Sequence, residues 1–461
     1  MTLLASKVLA ARAVGGLARR SGRGGTSLPG KLLVALDPRA IERLAARLAR
    51  GSVVISATNG KTTSAAMVAR IAQHADIPLV HNGAGANMAG GVASALLAAA
   101  RGRNRIDGEL GCFEVDEFWL DRVVPELRPR ALLLGNLFRD QLDRYGELET
   151  IADRWATAVS ELAPETGVVL NADDPLVADL GRERPSVAYY GVEDPAMAMS
   201  HMQHASDSKH CRRCGNPYAY TEIYLGHLGH YHCPSCGASR PAPTVSAHEI
   251  RLDGTRGARF LLRAPGGQAE VKLPLPGLYN VYNALGAAAL CLALEIDLDA
   301  VVAGLQDVSA AFGRAETIHI GAGEIQILLV KNPAGANEIL RTLVLEQGEL
   351  SLLGVLNDRI ADGRDVSWIW DADFELVAGK VRRVTCSGRR AAELALRLKY
   401  AGISPERIDV VEGVAEALDN ALMDAGQDRL FVLPTYTALL ELRQLLASRG
   451  HAGQFWESAR A

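Results

Sequence analysis

The stretch Ser52-Val-Val-Ile-Ser-Ala-Thr-Asn-Gly-Lys-Thr-Thr63 places a phosphate-binding loop between a buried strand and a helix. The apolar run predicts the strand, and the residues from Thr63 to His74 have helical periodicity. Gly60-Lys61-Thr62 matches the end of the P-loop pattern, whereas Ile55 occupies the position of its first glycine. We therefore predict a nucleotide site, and we expect ATP as the ligand.

Each residue type in this loop suits one task in phosphate binding. Backbone N–H groups around Asn59 and Gly60 can surround phosphate oxygens, and Lys61 can place its charge between the terminal phosphates. The Thr62 hydroxyl can reach Mg²⁺. The candidate nucleotide-binding residues are Thr58, Asn59, Gly60, Lys61, Thr62 and Thr63.

The rest of the chain alternates short apolar runs with helical segments, which predicts an α/β fold with largely parallel sheets. A second series of strands and helices begins near Ile325. We expect an N-terminal basic helical segment (1–50), an ATP-binding domain (51–318) with an insert (205–240), and a Rossmann-like C-terminal domain (319–461). A glycine-rich loop is expected from Ser21 to Gly30.

Composition limits the possible partners. The chain has 461 residues and a formal net charge of −4, which argues against global attraction to nucleic acid. Its N-terminus is basic up to Asp37, so contact with an anionic membrane is one interpretation and a solvated helix is the other. The apolar runs are too short for a membrane span or a signal peptide. A cytoplasmic protein, at most adjacent to the membrane, is expected.

An acidic cluster, Glu114-Val-Asp-Glu117, follows the strand predicted at Gly111 to Val115. A carboxylate at the C-terminal end of a parallel strand can reach a metal held by nucleotide phosphates. Glu114 is the preferred Mg²⁺ ligand together with Thr62. The alternative is a solvated acidic turn.

Two cysteine pairs, Cys211/Cys214 and Cys233/Cys236, have the spacing of a zinc ribbon. Four thiolates leave no open position on the metal, so structural Zn²⁺ is expected. The other cysteines, Cys112, Cys291 and Cys386, are expected to be small buried residues. Because zinc ribbons also occur in nucleic-acid-binding proteins, a non-enzymatic module of that kind remains an alternative.

Several segments resemble the Mur ligase superfamily, the ATP-dependent ligases of cell-wall precursor synthesis. They are the loop Ala57–Thr63, Asn136-Leu-Phe-Arg-Asp140, Asn171-Ala-Asp-Asp174, the segment Pro276–Leu285 and Gly313-Arg-Ala-Glu316. The resemblance implies a P-loop Mur ligase central domain. It also implies nucleotide contacts by Asn280, Asn283 and Arg314.

Within this superfamily the chain resembles the synthetase subunit of a two-subunit amidotransferase, on the strength of the paired cysteines and of Lys331-Asn-Pro-Ala-Gly335, Ala361–Asp371 and Thr435-Tyr-Thr-Ala438. That similarity implies ATP-dependent amidation of the D-glutamate α-carboxylate of lipid II to D-isoglutamine, through an acyl phosphate. Ammonia would come from a GatD-like glutamine amidotransferase subunit, whose site Asp362 (first choice) or Asp365 would complete. Lys331 would contact the acyl phosphate or the γ-phosphate.

The chain departs from the family pattern at named positions. Gln141 replaces the family's active-site histidine, and Trp155 or Ala156 stands where its carbamylated lysine is expected. The roughly 50 residues before the P-loop are too few for a nucleotide-sugar domain. A lipid-linked substrate fits that feature, while a stand-alone amino-acid ligase similar to folylpolyglutamate synthase is the alternative.

Overall fold

The strand that leads into the phosphate-binding loop, Ser52–Ser56, is buried along its whole length and lies inside a large sheet. The computed structural model describes residues 7–8, 11–12, 27–82, 86–102, 105–140, 148–203, 206–309, 314–321 and 323–453. The strands are β1 (Ser52–Ser56), β2 (Leu79–His81), β3 (Ala100–Arg101), β4 (Arg105–Ile106), β5 (Leu110–Glu114), β6 (Ala131–Leu134), β7 (Gly167–Asn171), β8 (Ala188–Val192), β9 (Ala219–Leu225), β10 (Leu228–His232), β11 (Val245–Leu252), β12 (Ala258–Ala264), β13 (Gly267–Leu273), β14 (Arg314–Ile320), β15 (Gly323–Leu328), β16 (Leu350–Val355), β17 (Val381–Ser387), β18 (Ile408–Val410) and β19 (Arg429–Pro434).

Helices connect most of these strands. They are α1 (Leu28–Leu36), α2 (Ala40–Ala45), α3 (Lys61–His74), α4 (Ala89–Ala99), α5 (Leu120–Leu127), α6 (Leu148–Ser160), α7 (Pro175–Asp179), α8 (Leu278–Ala293), α9 (Leu298–Gln306), α10 (Pro333–Val344), α11 (Glu375–Ala378), α12 (Ala391–Tyr400), α13 (Val414–Ala425) and α14 (Tyr436–Ser448). Short 3₁₀ turns cover Pro195–Met197, Gly254–Arg256, Ser367–Asp371 and Pro405–Arg407. Strand–helix alternation of this kind confirms the predicted α/β class.

The central domain is built on a nine-stranded sheet in the order β13-β12-β11-β8-β7-β6-β1-β5-β2. Its strands are parallel except for the antiparallel pairs β11/β12 and β12/β13. One apolar cluster packs α3, α8 and α9 on one face, and a second packs α1, α2, α4, α5 and α6 on the other. Covered faces explain why the parallel strands are apolar runs instead of alternating ones.

Helix α1 differs from expectation, because it begins at Leu28 within the stretch predicted as a loop. Gly30 is the reason that this helix can pack. A Cβ atom there would lie 1.9 Å from the carbonyl oxygen of Gly90, so the glycine allows α1 to approach α4 closely. Leu33 and Ile41 are fully buried in the same cluster as the central sheet. We therefore propose that residues from Leu28 onward are part of the ATP-binding domain.

The C-terminal domain is a six-stranded sheet in the order β14-β15-β19-β16-β17-β18, parallel apart from the β14/β15 hairpin. Helices α10, α11 and α12 pack on one face, and α13 and α14 on the other. Since β14 starts at Arg314, the sheet begins a few residues before the predicted boundary at 318/319. We propose a boundary ahead of that strand.

Candidate active site and metal centre

Two asparagines from outside the phosphate-binding loop, Asn136 and Asn283, contact it. Asn136 accepts from the backbone N–H of Asn59 through its side chain and from that of Thr58 through its carbonyl, both at 2.9 Å. Gly60 has φ +93°, and a Cβ atom there would lie 2.0 Å from Oδ1 of Asn283. The loop therefore requires glycine at this position, and the N-terminus of α3 is left to face an anion.

Lys61, in the first turn of α3, lies across the loop in a buried position. Its ammonium group donates to the carbonyl of Ala57 and lies 2.5 Å from Oε2 of Glu117. Burial alone would lower the pKa of Lys61, but the charges of Glu117, Asp116 and Asp140 outweigh it and raise that pKa. Lys61 is therefore a permanent cation at the point where phosphate charge would accumulate.

The acidic cluster lies beside the loop, because β5 pairs with β1 and places Glu114 opposite Ile55. Asn82 fixes the Glu114 backbone, accepting from its N–H at 3.0 Å and donating to its carbonyl at 2.9 Å. Glu114 is buried, and Thr62 is half-buried in the first turn of α3. A carboxylate and a hydroxyl at one sheet edge fit the oxygen ligands of Mg²⁺.

Glu117, not Glu114, forms the ion pair with the loop lysine. Burial would raise the pKa of Glu117, but the charges of Lys61 and Lys331 lower it below its ordinary value. The indole N–H of Trp155 donates to the Glu117 carbonyl at 3.1 Å. Trp155, at the position where the family lysine was expected, thus supports the acidic turn, while Gln141 lies outside the described residues.

Helix α8 supplies the two asparagines implied by the family resemblance. Asn283 packs against Gly60 and donates to Oδ1 of Asn280 at 3.1 Å, and Asn280 donates to the carbonyl of Pro276 at 2.7 Å. Asn283 therefore contacts the loop directly, and Asn280, one helical turn earlier, orients the Asn283 side chain. Arg314 is the first residue of β14, and its side chain is outside the described part of the chain.

The C-terminal domain reaches the loop through the two residues that precede α10. Nζ of Lys331 donates to the carbonyl of Thr58 at 3.1 Å and pairs with Asp140. Nδ2 of Asn332 donates to Oδ1 of Asn59 at 3.0 Å, while Asn332 also caps α10. The two domains therefore meet at the phosphate-binding loop, and two lysines from different domains converge there.

The four cysteines of the insert come together as the spacing predicts. Their sulfur atoms lie within 4.8 Å of one another, with Cys214 and Cys233 at 3.4 Å and Cys211 and Cys236 at 3.6 Å. Tetrahedral Zn–S bonds of about 2.3 Å give S···S separations of about 3.8 Å, so the donor set fits Zn²⁺. The backbone N–H of Asn216 lowers the pKa of the Cys214 thiol to about 6, which favours the thiolate that zinc binds.

The β9/β10 hairpin of this insert packs against the central domain. His227 at its turn is fully buried, 4.7 Å from the ring of Phe138 and 3.3 Å from Asp174. Arg341 of α10 donates to the carbonyl of Tyr224 at 2.7 Å. The insert therefore contacts both domains close to where they meet.

The two loop aspartates of the C-terminal domain have different surroundings. Asp362 is only 5% exposed and accepts from the N–H groups of Thr437 and Arg359 at 2.6 and 3.2 Å. Asp365 is exposed and accepts from the N–H of Ser367 at 2.8 Å, which lowers its pKa. Asp362 thus connects the loop to α14, whereas Asp365 faces outward.

Four site residues were missing from the sequence-based candidates: Glu117, Asn136, Asp140 and Asn332. Glu117, Asn136 and Asp140 stand within segments that the sequence analysis recognised, and Asn332 follows the chosen residue Lys331. The sequence feature that could have identified them is their position after the C-terminal end of a strand. Neighbouring residues share that position, so it does not select among them. Which neighbour faces the loop depends on side-chain direction in the folded chain.

Two family models match the chain, over separate stretches. The Mur ligase middle domain family matches residues 55–291, and the MurT ligase C-terminal family matches residues 329–439. The chain is similar to the lipid II isoglutaminyl synthase (glutamine-hydrolysing) subunit MurT of Streptococcus pneumoniae, at 33% identity over 96% of both chains. It is also similar to the subunit of that name from Staphylococcus aureus strain N315, at 32% identity over 95% of this chain and 96% of that one.

Solved structures share the architecture. A pseudomurein peptide ligase type C from Methanothermus fervidus superposes with a TM-score of 0.68 and 25% identity, covering 87% of this chain and 79% of that chain. Folylpolyglutamate synthase from Mycobacterium tuberculosis superposes with a TM-score of 0.60 and 18% identity, covering 88% and 94%. The second likeness shows the fold alone.

Proposed function

Because the chain belongs to the MurT family of Mur ligase-like proteins, we propose that it is the ATP-dependent synthetase subunit of a lipid II isoglutaminyl synthase. The observation that carries this proposal is the meeting of the two domains at the phosphate-binding loop. Lys61 from one domain and Lys331 from the other lie within the same charged network. Such a site can bring ATP and a carboxylate together and stabilise phosphoryl transfer between them.

In the proposed reaction a carboxylate oxygen of D-glutamate in lipid II attacks the γ-phosphorus of ATP, and ADP leaves. Ammonia then attacks the acyl carbon, phosphate leaves with the bonding electron pair, and the proton that the nitrogen loses ends on the released phosphate. Lys61 and Lys331 stabilise the negative charge that spreads over the transferred phosphoryl oxygens. Thr62 and Glu114 would hold Mg²⁺, which when bound neutralises phosphate charge.

Ammonia must reach the site unprotonated, and this chain offers no cysteine nucleophile to produce it. Its three cysteines outside the ribbon, Cys112, Cys291 and Cys386, are buried, and burial raises the pKa of Cys112 and of Cys386 to about 12. A GatD-like glutaminase partner would supply the ammonia. We propose Asp365 as the residue presented to that partner, because it is exposed whereas Asp362 is bonded within the fold.

We propose that the four-cysteine cluster binds one structural Zn²⁺ per chain. Metal analysis of the purified protein checks this, with Cys214→Ser expected to lose the metal and Cys386→Ala expected to keep it. The geometry would have to be reinterpreted if the reduced wild-type protein contained no zinc.

A lipid-linked substrate suggests where the protein works. Among the described residues no helix is long and apolar enough to cross a membrane. Leu28 and Leu36 of α1 are 47% and 42% exposed, on the same helix as the exposed Lys31. We propose a cytoplasmic protein that contacts the inner face of the membrane through this end of the chain.

The test is amidation of lipid II with ATP, using the chain alone and together with a co-purified GatD-like partner. Each mixture receives either ammonium or glutamine. We expect ammonium to support turnover by the chain alone, and glutamine to support it only with the partner. Lys61→Ala is the inactive control.

Other outcomes would redirect the proposal. Addition of an amino acid in place of ammonia would indicate a stand-alone ligase. Complete lack of amidation in mixtures where ATP is bound would exclude the synthetase assignment.

A further inference from the structure

An open groove of about 540 Å³ separates helix α6 from the start of the zinc-ribbon insert. Ala152 and Leu176 form an apolar floor, and both are almost fully buried. Charged side chains line it on both sides: Glu149 and Asp153 from the helix, and Asp207, Lys209 and Arg212 from the insert. Its volume is in the range of small-molecule and short-peptide sites.

The groove is connected to the candidate active site through Asp207. The Asp207 carboxylate accepts from the backbone N–H of Arg139 at 2.9 Å and pairs with its guanidinium. Asp140, which follows Arg139 in the chain, pairs with Lys331 at the phosphate-binding loop. Two ion pairs through consecutive residues, Arg139 and Asp140, therefore join the groove to the lysine at the phosphate-binding loop.

The charges of the groove indicate the kind of ligand. Arg212 pairs with Asp153 across it, and Glu149 and Lys209 are exposed at its edges. A polyphosphate would be repelled by Glu149, Asp153 and Asp207 as much as attracted by the cations. An apolar floor between carboxylates and cations suits a peptide that carries both ammonium and carboxylate groups.

We propose that this groove binds the part of the acceptor's stem peptide that lies beyond the amidated residue. The inference rests on the proposed function and deepens it, because it assigns the insert a role in acceptor recognition. Glu149 would bind an ammonium group of the peptide, and Lys209 a carboxylate.

The test measures KM for two soluble lipid II analogues, one with the full stem peptide and one that ends at the D-glutamate residue. Ammonium is the nitrogen source. For the wild-type chain we expect a clearly lower KM for the full peptide. Glu149→Ala and Lys209→Ala should each raise that KM about fivefold, the value of one solvent-screened charge contact, and leave KM for the truncated analogue unchanged.

Matched controls separate recognition from folding. The controls are Glu161→Ala and Lys272→Ala. Glu161 directly follows the C-terminal end of α6, Lys272 lies on β13, and both residues are exposed. Neither change should alter any KM, and all four variants should keep zinc content and KM for ATP. Equal effects of Glu149→Ala on both analogues, or none on either, would overturn the inference. A wild-type chain that amidates neither analogue would instead overturn the proposed function, and the groove assignment with it.

Discussion

The ammonium group of Lys331 donates to the backbone carbonyl of Thr58 at 3.1 Å, across the junction of two domains. The contact connects the strand end of the C-terminal sheet with the loop that follows β1. A domain that moved away would withdraw this cation from the nucleotide site. The domain junction is thus part of the catalytic apparatus that we propose.

Replacing Lys331 with methionine should lower kcat by about 10²-fold, because one cation that faces the transferred phosphoryl group is lost. Steady-state turnover with ammonium is the measurement. Lys399→Met, an exposed change on α12, is the matched control and should behave as wild type. Unchanged turnover in Lys331→Met would remove this residue from the proposed chemistry.

Lys61 and Glu117 form a buried ion pair. Removing both charges should therefore restore stability without restoring activity. Lys61→Met leaves a buried carboxylate without its cation, and we expect a loss of about 3 kcal/mol in the free energy of unfolding. Adding Glu117→Gln should recover most of that stability, since the carboxylate that lost its cation is then replaced by a neutral amide. Turnover should stay at least about 10²-fold below wild type. Urea unfolding and turnover on the same samples provide the comparison, and recovery of both properties together would contradict the assignment.

The same pair predicts how stability depends on pH. The pKa of Glu117 is lowered, so its contribution is present above the unfolded value of about 4.3 and is lost as pH falls through the folded one. The pKa of Lys61 is raised, so its contribution is present below about 10.4 and is lost as pH rises through the folded value. Relative to the Lys61→Met/Glu117→Gln chain, wild-type stability should therefore be constant from about pH 5 to 10 and fall outside that range. Urea titrations across this range test the prediction, and a steady slope near pH 7 would refute it.

Gly60→Ala should raise KM for ATP about tenfold or more, because both the backbone angle and the contact with Asn283 forbid a methyl group. Gly348 has φ +78° with nothing within 4 Å of an added Cβ atom. Gly348→Ala therefore introduces backbone strain alone and should lower the melting temperature without changing KM. Equal KM values for the two variants would show that the Asn283 contact has no role in nucleotide binding.

Asp365→Ala should lower glutamine-driven amidation by the two-subunit complex about 10²-fold. Ammonium-driven turnover should stay unchanged. Asp362→Ala should instead lower the melting temperature, because three donors around Thr437 and Arg359 lose their acceptor. Measuring both nitrogen sources distinguishes the two residues. The assignment would be reversed if Asp362→Ala alone lost glutamine use while remaining stable.

Local sequence predicted those parts of the molecule whose signal lies within one element. The apolar run before the loop, the helix after it and the cysteine spacing each specify their own structure, and β5 (Leu110–Glu114) lies one residue from the predicted Gly111 to Val115. Helix α1 was missed because its glycine, normally a sign of a turn, serves a close helix contact instead. That contact involves Gly90, which is distant in sequence.

The site followed the same division. Local motifs located the loop and the acidic cluster, since each stands next to a recognisable apolar run, whereas Lys331 was chosen on the family resemblance. The choice between Glu114 and Glu117 as partner of Lys61 depends on which side chain turns toward the loop, and no local pattern encodes that direction. The preference for Asp362 over Asp365 rested on loop position and could not include the bonds to Thr437.

Strands β8 and β11 are neighbours in the central sheet, although the whole zinc-ribbon insert lies between them in the chain. During folding, the ends of a segment of roughly 50 residues must therefore meet before the sheet can be completed. A metal that binds four thiolates early would shorten this segment and lower the entropy lost on closure. If the cluster binds zinc as proposed, zinc supply during synthesis would then affect how fast the nascent chain completes its nucleotide-binding sheet, even though the four cysteines lie outside that sheet.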